Sequence, residues 1–247
     1  MVIVDRPTVD WTASDPTLVS GGLRERKKRL MRQQLSDVAT QLFMERGFDA
    51  VRVAEIAAAC GVSEKTVFNY FPTKESLVLD RLSITVASLR AGLADQQTAP
   101  LDAALRILDA ELEAMTGWLA QQNDPTRAGQ EVRRFGDLIE ATPSLRAYQS
   151  DMKDQFVTAA TEALATRTGR SVDDPEPQIA ASALLGLWHV QEQSLRRHLA
   201  ESLTPNELHR AVIDDVHRAA HLIGTGLHSF AATPKQRRSG RVRQATK

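Results

Sequence analysis

From Pro100 onward, prolines divide this 247-residue chain into stretches of helical length, and no other feature limits its fold as much. Pro100, Pro125, Pro143, Pro175, Pro177 and Pro205 each stand at or near the start of such a stretch. Proline has no amide N–H and its φ is held near the helical value, so the first turn of a helix tolerates it. Between the prolines, apolar residues recur at helical intervals, and no segment alternates with a period of two. The expected fold class is therefore all-α, with roughly five helices over residues 95–232. An aromatic content of 5% suits Ala- and Leu-rich helices better than a β-sandwich.

The N-terminal part is organised differently. Residues 1–22 contain Pro7, Pro16, Gly21 and Gly22 and show no sustained period, which predicts a flexible leader. From Leu23 the pattern is helical. Leu35, Val38, Ala39, Leu42 and Phe43 fall at i, i+3, i+4, i+7 and i+8 and form one apolar face. Gly47 ends that helix. Short helices are expected near 53–60 and 64–71, and Pro72 then breaks the chain. Thr73 is the expected N-cap of a helix running to about Gly92.

The segment Val53–Tyr70, VAEIAAACGVSEKTVFNY, has the spacing of two short helices crossing at a tight turn. Ala57 is small where the helices must approach. Gly61 sits in the turn, where a positive φ is cheap for glycine. Ser63 is placed to cap the second helix. Val67 packs back onto Ile56, with Cys60, Val62, Tyr70 and Phe71 completing the inner set. At 100° per residue, Lys65 and Asn69 then point away from Val67, with Thr66 and Phe68 on the flanks. Lys65 suits a guanine edge or a phosphate, Asn69 suits the two hydrogen-bonding groups of adenine, and Thr66 suits a phosphate or a thymine methyl.

The formal net charge of zero conceals a segregation. Residues 23–90 carry +4, residues 91–232 carry −8, and residues 233–247 carry +6. The basic run Arg24, Arg26, Lys27, Lys28, Arg29 and Arg32 lies just before the first apolar face. Such a distribution fits a polyanionic partner for the basic parts. The tail PKQRRSGRVRQATK lacks a core-forming pattern and is expected to be disordered. No apolar run reaches membrane-spanning length, and the start lacks the pattern of a secretory signal. A single cysteine, Cys60, permits no internal disulfide, so a reducing, cytoplasmic setting is expected. There is no glycine-rich phosphate loop, nucleophile elbow, cysteine pair or HExxH motif, which argues against an enzyme. His217 and His221 stand at i, i+4 beside Asp214 but have no further ligand pattern, so they read as helix-surface or interface residues; neither a metal nor a cofactor is expected.

The run from about Arg26 to Leu82 resembles the DNA-binding domain of the tetracycline-repressor (TetR) family of bacterial transcriptional regulators. The resemblance rests on QLSDVATQLFMERGFDAVRV followed by AEIAAACGVSEKTVFNYFPTKESL, above all on the ERGFDA turn, IAAACGVS and FNYFPTKESL. It implies a three-helix DNA-binding head and a larger helical body for regulation and dimerisation. It also implies that Lys74 opens the fourth helix and contacts phosphate. Phe68 and Tyr70 take the place of the family's aromatic pair; Phe68 lacks the hydroxyl that meets phosphate, which leaves Tyr70 to supply one. Arg52 replaces the usual threonine before the second helix, losing a cap and adding a contact for phosphate or the minor groove. The DNA-binding candidates are thus Arg26, Lys28, Arg52, Ser63, Lys65, Thr66, Phe68, Asn69, Tyr70 and Lys74.

The expected domain organisation is a leader (1–22), a helix-turn-helix domain (23–72), a helical ligand-binding and dimerisation domain (73–232) and a basic tail (233–247). The resemblance implies a homodimer through the helices over 179–199 and 207–230, hence an inverted-repeat operator in double-stranded DNA. It also implies a small-molecule effector held among the central helices, where Trp118, Phe135, Tyr148, Phe156, Trp188 and His189 are candidates. The function expected is that of a sequence-specific transcriptional regulator, an effector-responsive repressor. Two alternatives remain at this point: a helical ligand-binding adaptor without DNA activity, and a non-specific, nucleoid-type DNA binder.

Overall fold

The computed structural model describes residues 22–201 and 203–226. These residues form nine α-helices and no strand: α1 (Leu23–Arg46), α2 (Val53–Ala59), α3 (Glu64–Tyr70), α4 (Ser76–Ala94), α5 (Pro100–Ala120), α6 (Pro125–Ala141), α7 (Pro143–Thr168), α8 (Pro175–His198) and α9 (Pro205–Thr225). The basic tail, nearly all of the leader and the last four residues of the 207–230 helix lie outside the described residues. Helices α5 to α9 each begin on a proline, as the sequence predicts. Side-chain caps support two of these starts. Asp124 accepts from the Arg127 N–H at 2.9 Å, and Thr204 and Glu207 satisfy each other's N–H groups at 3.3 and 2.9 Å.

Helices α1, α2 and α3 enclose a first core. Leu35, Val38, Ala39, Phe43, Phe48, Val51, Ile56, Ala57, Val67 and Phe71 are buried together, while Leu42, Cys60, Val62 and Tyr70, also expected inside, pack partly exposed at its edge. The turn between α2 and α3 is a Schellman arrangement. Gly61 has φ +69°, the Val62 N–H donates to Ala57 O at 2.9 Å and the Gly61 N–H to Ala58 O at 3.1 Å. This closes α2 and turns the chain so that Val67 reaches the core.

Three leucines from outside the three head helices complete this core: Leu77 and Leu79 of α4 and Leu145 of α7. Leu138, Ile139 and Tyr148 pack at its margin, so the α6–α7 corner supports the head. Thr73 does cap this end of α4, accepting from the Ser76 N–H at 3.1 Å while Ser76 Oγ accepts from the Thr73 N–H at 3.2 Å. Lys74 and Glu75 form a tight turn first, so regular helix begins at Ser76. At Leu79 the backbone leaves helical values, with φ −110° and ψ 25°. Beyond that kink α4 belongs to the body, where Leu89 and Leu93 enter a second core with Leu108, Phe156, Leu184, Leu187 and Val216. A third core, at the other end of the body, joins α5, α6 and α9 through Leu112, Met115, Leu119, Ala128, Leu208 and Val212. Arg167 of α7 closes the far end of α4 by donating to the carbonyls of Asp95 and Gln96 at 2.8 and 3.2 Å.

Candidate nucleic-acid interface

Helix α3 has only seven residues, too few to be stable alone, so its setting depends on its neighbours. Inside, Val67 is fully buried, and Phe71 closes the helix by donating its N–H to Val67 O at 2.9 Å. At the N-terminus Ser63 Oγ accepts the Thr66 N–H at 3.1 Å and shares a hydrogen with Thr66 Oγ1 at 2.9 Å. The two hydroxyls therefore face one another beside the open N-terminus of the helix, where free N–H groups favour an anion. At the C-terminus Arg32 of α1 donates to Tyr70 O at 2.7 Å.

The opposite face of α3 is open. Lys65 and Asn69 are exposed, and Phe68 is 45% exposed, a large apolar surface for an isolated head. Thr66 and Tyr70 are half-buried, and Tyr70 packs at the edge of the head core. Lys65, Asn69 and Phe68 thus share one accessible side with the Ser63–Thr66 pair at its leading end. Arg52 lies at the start of α2 with its side chain exposed. It gives α2 no side-chain cap; Glu55 instead accepts the Arg52 N–H at 2.8 Å and pairs with Arg46 at 2.8 Å. The Glu55 carboxyl is held below its usual range by the Arg52 N–H first and by Arg46 next.

Two basic side chains of the head donate to a backbone carbonyl far along the chain. The Lys74 ammonium donates to Phe48 O at 2.6 Å and lies 4.3 Å from the Phe48 ring centroid and 5.5 Å from that of Phe43. Burial there pushes its pKa down, against the opposing influence of Asp49, Glu75 and Glu55. The side chain that the resemblance assigns to a phosphate is thus engaged with the head's own Phe48 carbonyl. Arg32 is the second such residue. Arg24, Arg26, Lys27 and Lys28, by contrast, are exposed on the first turns of α1.

The six aromatic and histidine candidates in the body do not gather in one place. Phe156 and Trp188 meet edge to face, with centroids 4.7 Å apart, in the second core. Trp118 borders the third core and Tyr148 the head core, while Phe135 is half-buried on α6 and His189 is exposed. Beside the Phe156–Trp188 pair lies a polar centre that sequence reasoning missed. The Glu111 carboxylate is 9% exposed and accepts from the Thr85 hydroxyl and from Trp188 Nε1 at 3.2 Å. Its signal was present: Ala104, Leu108, Glu111 and Met115 follow one helical face, so a carboxylate stands where an apolar residue is expected. Gln191 Oε1, one turn beyond Trp188, is buried and has no hydrogen-bond partner among the described residues. His217 and His221 border a shallow groove with Leu101, Leu105 and Ala220, and the described residues contain no group of three or more His, Cys, Asp or Glu able to hold a metal ion.

Comparison with known proteins settles the family. The model of bacterial regulatory proteins of the tetR family matches residues 35–80, and that of the MftR C-terminal domain matches residues 105–212. The chain belongs to the TetR family. Its relatives include the transcriptional regulator MftR of Mycobacterium tuberculosis. That protein is 29% identical over 162 residues, 66% of this chain and 78% of the relative. The HTH-type transcriptional regulator TcmR of Streptomyces glaucescens is 29% identical over 180 residues, covering 69% and 72%. The HTH-type transcriptional regulator LuxR of Vibrio harveyi is 42% identical over 64 residues, 26% of this chain and 31% of that one. This TetR-family chain is a DNA-binding transcriptional regulator with a helix-turn-helix head and a helical C-terminal domain. No helix among its described residues is long and apolar enough to cross a membrane.

Proposed function

We propose that the protein is an effector-responsive, homodimeric repressor of the cytoplasm that reads an inverted repeat by placing α3 in the major groove of each half-site. The observation that carries this reading is the exposure of Lys65 and Asn69, one turn apart on α3, while the opposite side of the same helix is fixed in the core. A side chain that is to read base edges must be free, and the helix that bears it must not be. Ser63, Thr66, Tyr70 and the Lys74 backbone N–H serve the flanking phosphates, as does Arg52, and Phe68 offers apolar contact. Arg26 and Lys28 stand on helix rather than on extended chain. A helix does not fit the narrow minor groove, so these cations act on the phosphate backbone. The chain divides as leader, head, body to residue 232 and basic tail, with the head's core reaching past residue 72 to Leu77, Leu79 and Leu145.

In the body, we assign the effector to the Phe156–Trp188 pair and the polar centre beside it. Thr85 of α4 and Trp188 of α8 both hydrogen-bond the Glu111 carboxylate of α5, so a ligand that competes for Glu111 removes the polar tie between α4 and α5. Such a ligand represses or induces only if it prefers one setting of α4 over the other.

The test is selection of random duplex DNA by the purified protein at about 150 mM salt. An enriched inverted repeat is expected, and Asn69→Ala is expected to relax one position in each half-site by about 1–3 kcal/mol. Binding that merely fades with salt, without enrichment, overturns the reading in favour of a non-specific DNA binder.

A further inference from the structure

Arg32 belongs by sequence to the basic run of α1, yet its surroundings differ from those of the run. Arg24, Arg26, Lys27 and Lys28 are exposed and Arg29 and Arg32 are half-buried, and of these Arg32 reaches the end of α3. Its Nη1 donates to the carbonyl of Tyr70, the last residue of α3, at 2.7 Å. Its guanidinium carbon lies 4.5 Å from the centroid of the Phe71 ring, and Phe71 is itself fully buried. The guanidinium thus does two things at the C-terminus of a two-turn helix. It satisfies a carbonyl that no following turn can reach, and it places a positive charge at the negative end of the helix dipole. The cation–aromatic contact with Phe71 adds to the hydrogen bond in restraining the guanidinium.

The three grips on α3 are then distinct. Ser63 caps the N-terminal end, Val67 and Phe71 hold the inner face in the core, and Arg32 reaches across from α1 to the C-terminal carbonyl. Loss of the last grip lets the C-terminal end of α3 shift against α1 about the buried Val67 and Phe71, moving Asn69 and Lys65 relative to whatever they touch. A displacement of about 1 Å is enough to break a bidentate contact with a base edge.

We infer that Arg32 is a positioning residue that sets the tilt of α3 and thereby the base specificity of the regulator, and that it does not contact DNA. This rests on the reading that α3 occupies the major groove, and the experiment separates the two. Binding of the full-length protein is measured on the inverted repeat selected by the wild type and on unrelated duplex, each across a range of salt. Arg32→Met is expected to lower affinity for the selected repeat about tenfold while leaving affinity for unrelated duplex within about twofold. The slope of log affinity against log salt should not change. Arg32→Lys keeps the charge but lacks the planar fork, and should show the same pattern to a smaller degree. Arg26→Gln serves as the reference for a phosphate contact, with a slope reduced by about 0.9 per subunit.

The inference is overturned if Arg32→Met lowers the slope as Arg26→Gln does while Arg32→Lys binds like the wild type, because that is the signature of a phosphate contact. It is equally overturned if both variants keep the wild-type preference. Helix content and subunit mass are measured alongside; should Arg32→Met fail to fold, Arg32→Lys alone decides by its preference and slope. If the wild type selects no repeat at all, it is the placement of α3 that fails.

Discussion

Arg32 and Lys74 show how little the type of a residue says about its task. Both are cations in a basic head, and both donate to a backbone carbonyl of that same head, Tyr70 O and Phe48 O. From the sequence they are indistinguishable from Arg26 or Lys28, because a cation's partner is a carbonyl 38 or 26 residues away in the chain and leaves no local pattern. Ser63 is the opposite case. A cap is a local device, its partner lies three residues on, and the spacing alone located it. For Lys74 the geometry predicts a loss of stability rather than of electrostatic affinity. Lys74→Met should destabilise the head by about 1–2 kcal/mol, the worth of a charge-assisted hydrogen bond and a cation–aromatic contact less the relief of burying a charge. The slope of DNA binding against salt should remain near that of the wild type. Denaturant unfolding and the same salt titration measure the two quantities.

At the scale of elements, the chain was most legible where structure is local. Five helices begin on the prolines that mark them, and the α2–α3 turn takes the positive φ that Gly61 permits. Pairings between distant helices were not legible. Aromatic residues that interrupt Ala- and Leu-rich stretches signal burial, but not which of three cores receives them, so Trp118, Tyr148 and Phe156 separated. The tie between α8 and α9 is another such pairing. Asp215, 7% exposed, accepts from Ser194 Oγ at 2.6 Å and from Arg197 and Arg218, with His198 Nε2 3.4 Å away. Burial alone raises the pKa of Asp215, but the Ser194 hydroxyl, the two guanidinium groups and His198 outweigh it and hold the carboxyl below its usual range. A carboxylate whose folded pKa is depressed adds stability above its unfolded value of 3.8, and that stability is lost as pH falls through the folded value. Asp215→Asn should therefore cost about 2 kcal/mol near neutrality and flatten the fall of Tm at pH below about 3.8. A wild-type acid limb in that variant would place the acid sensitivity elsewhere.

At the scale of the whole molecule two joins matter, the proposed one between subunits and the one between head and body. On α8, Ile179 is 69% exposed, an apolar residue on one of the helices assigned to the dimer. Ile179→Asp is expected to shift the protein toward monomer by tenfold or more in dissociation constant, on the order of the burial energy of one such side chain plus the cost of a buried charge. Sedimentation at graded concentration reads the shift, and affinity for an inverted repeat should fall with it while a single half-site is bound as before. The join of head to body is of another kind. Leu77, Leu79 and Leu145 complete the core of the head, so the reading unit is not a bead on a string that ends at Pro72. Severed there, the head would show water the surface that three leucines now cover. Exchanging heads among regulators of this architecture is consequently a matter of matching two surfaces, and a chimera that carries the α6–α7 corner along with its own head keeps the interlock that one cut at the proline leaves behind.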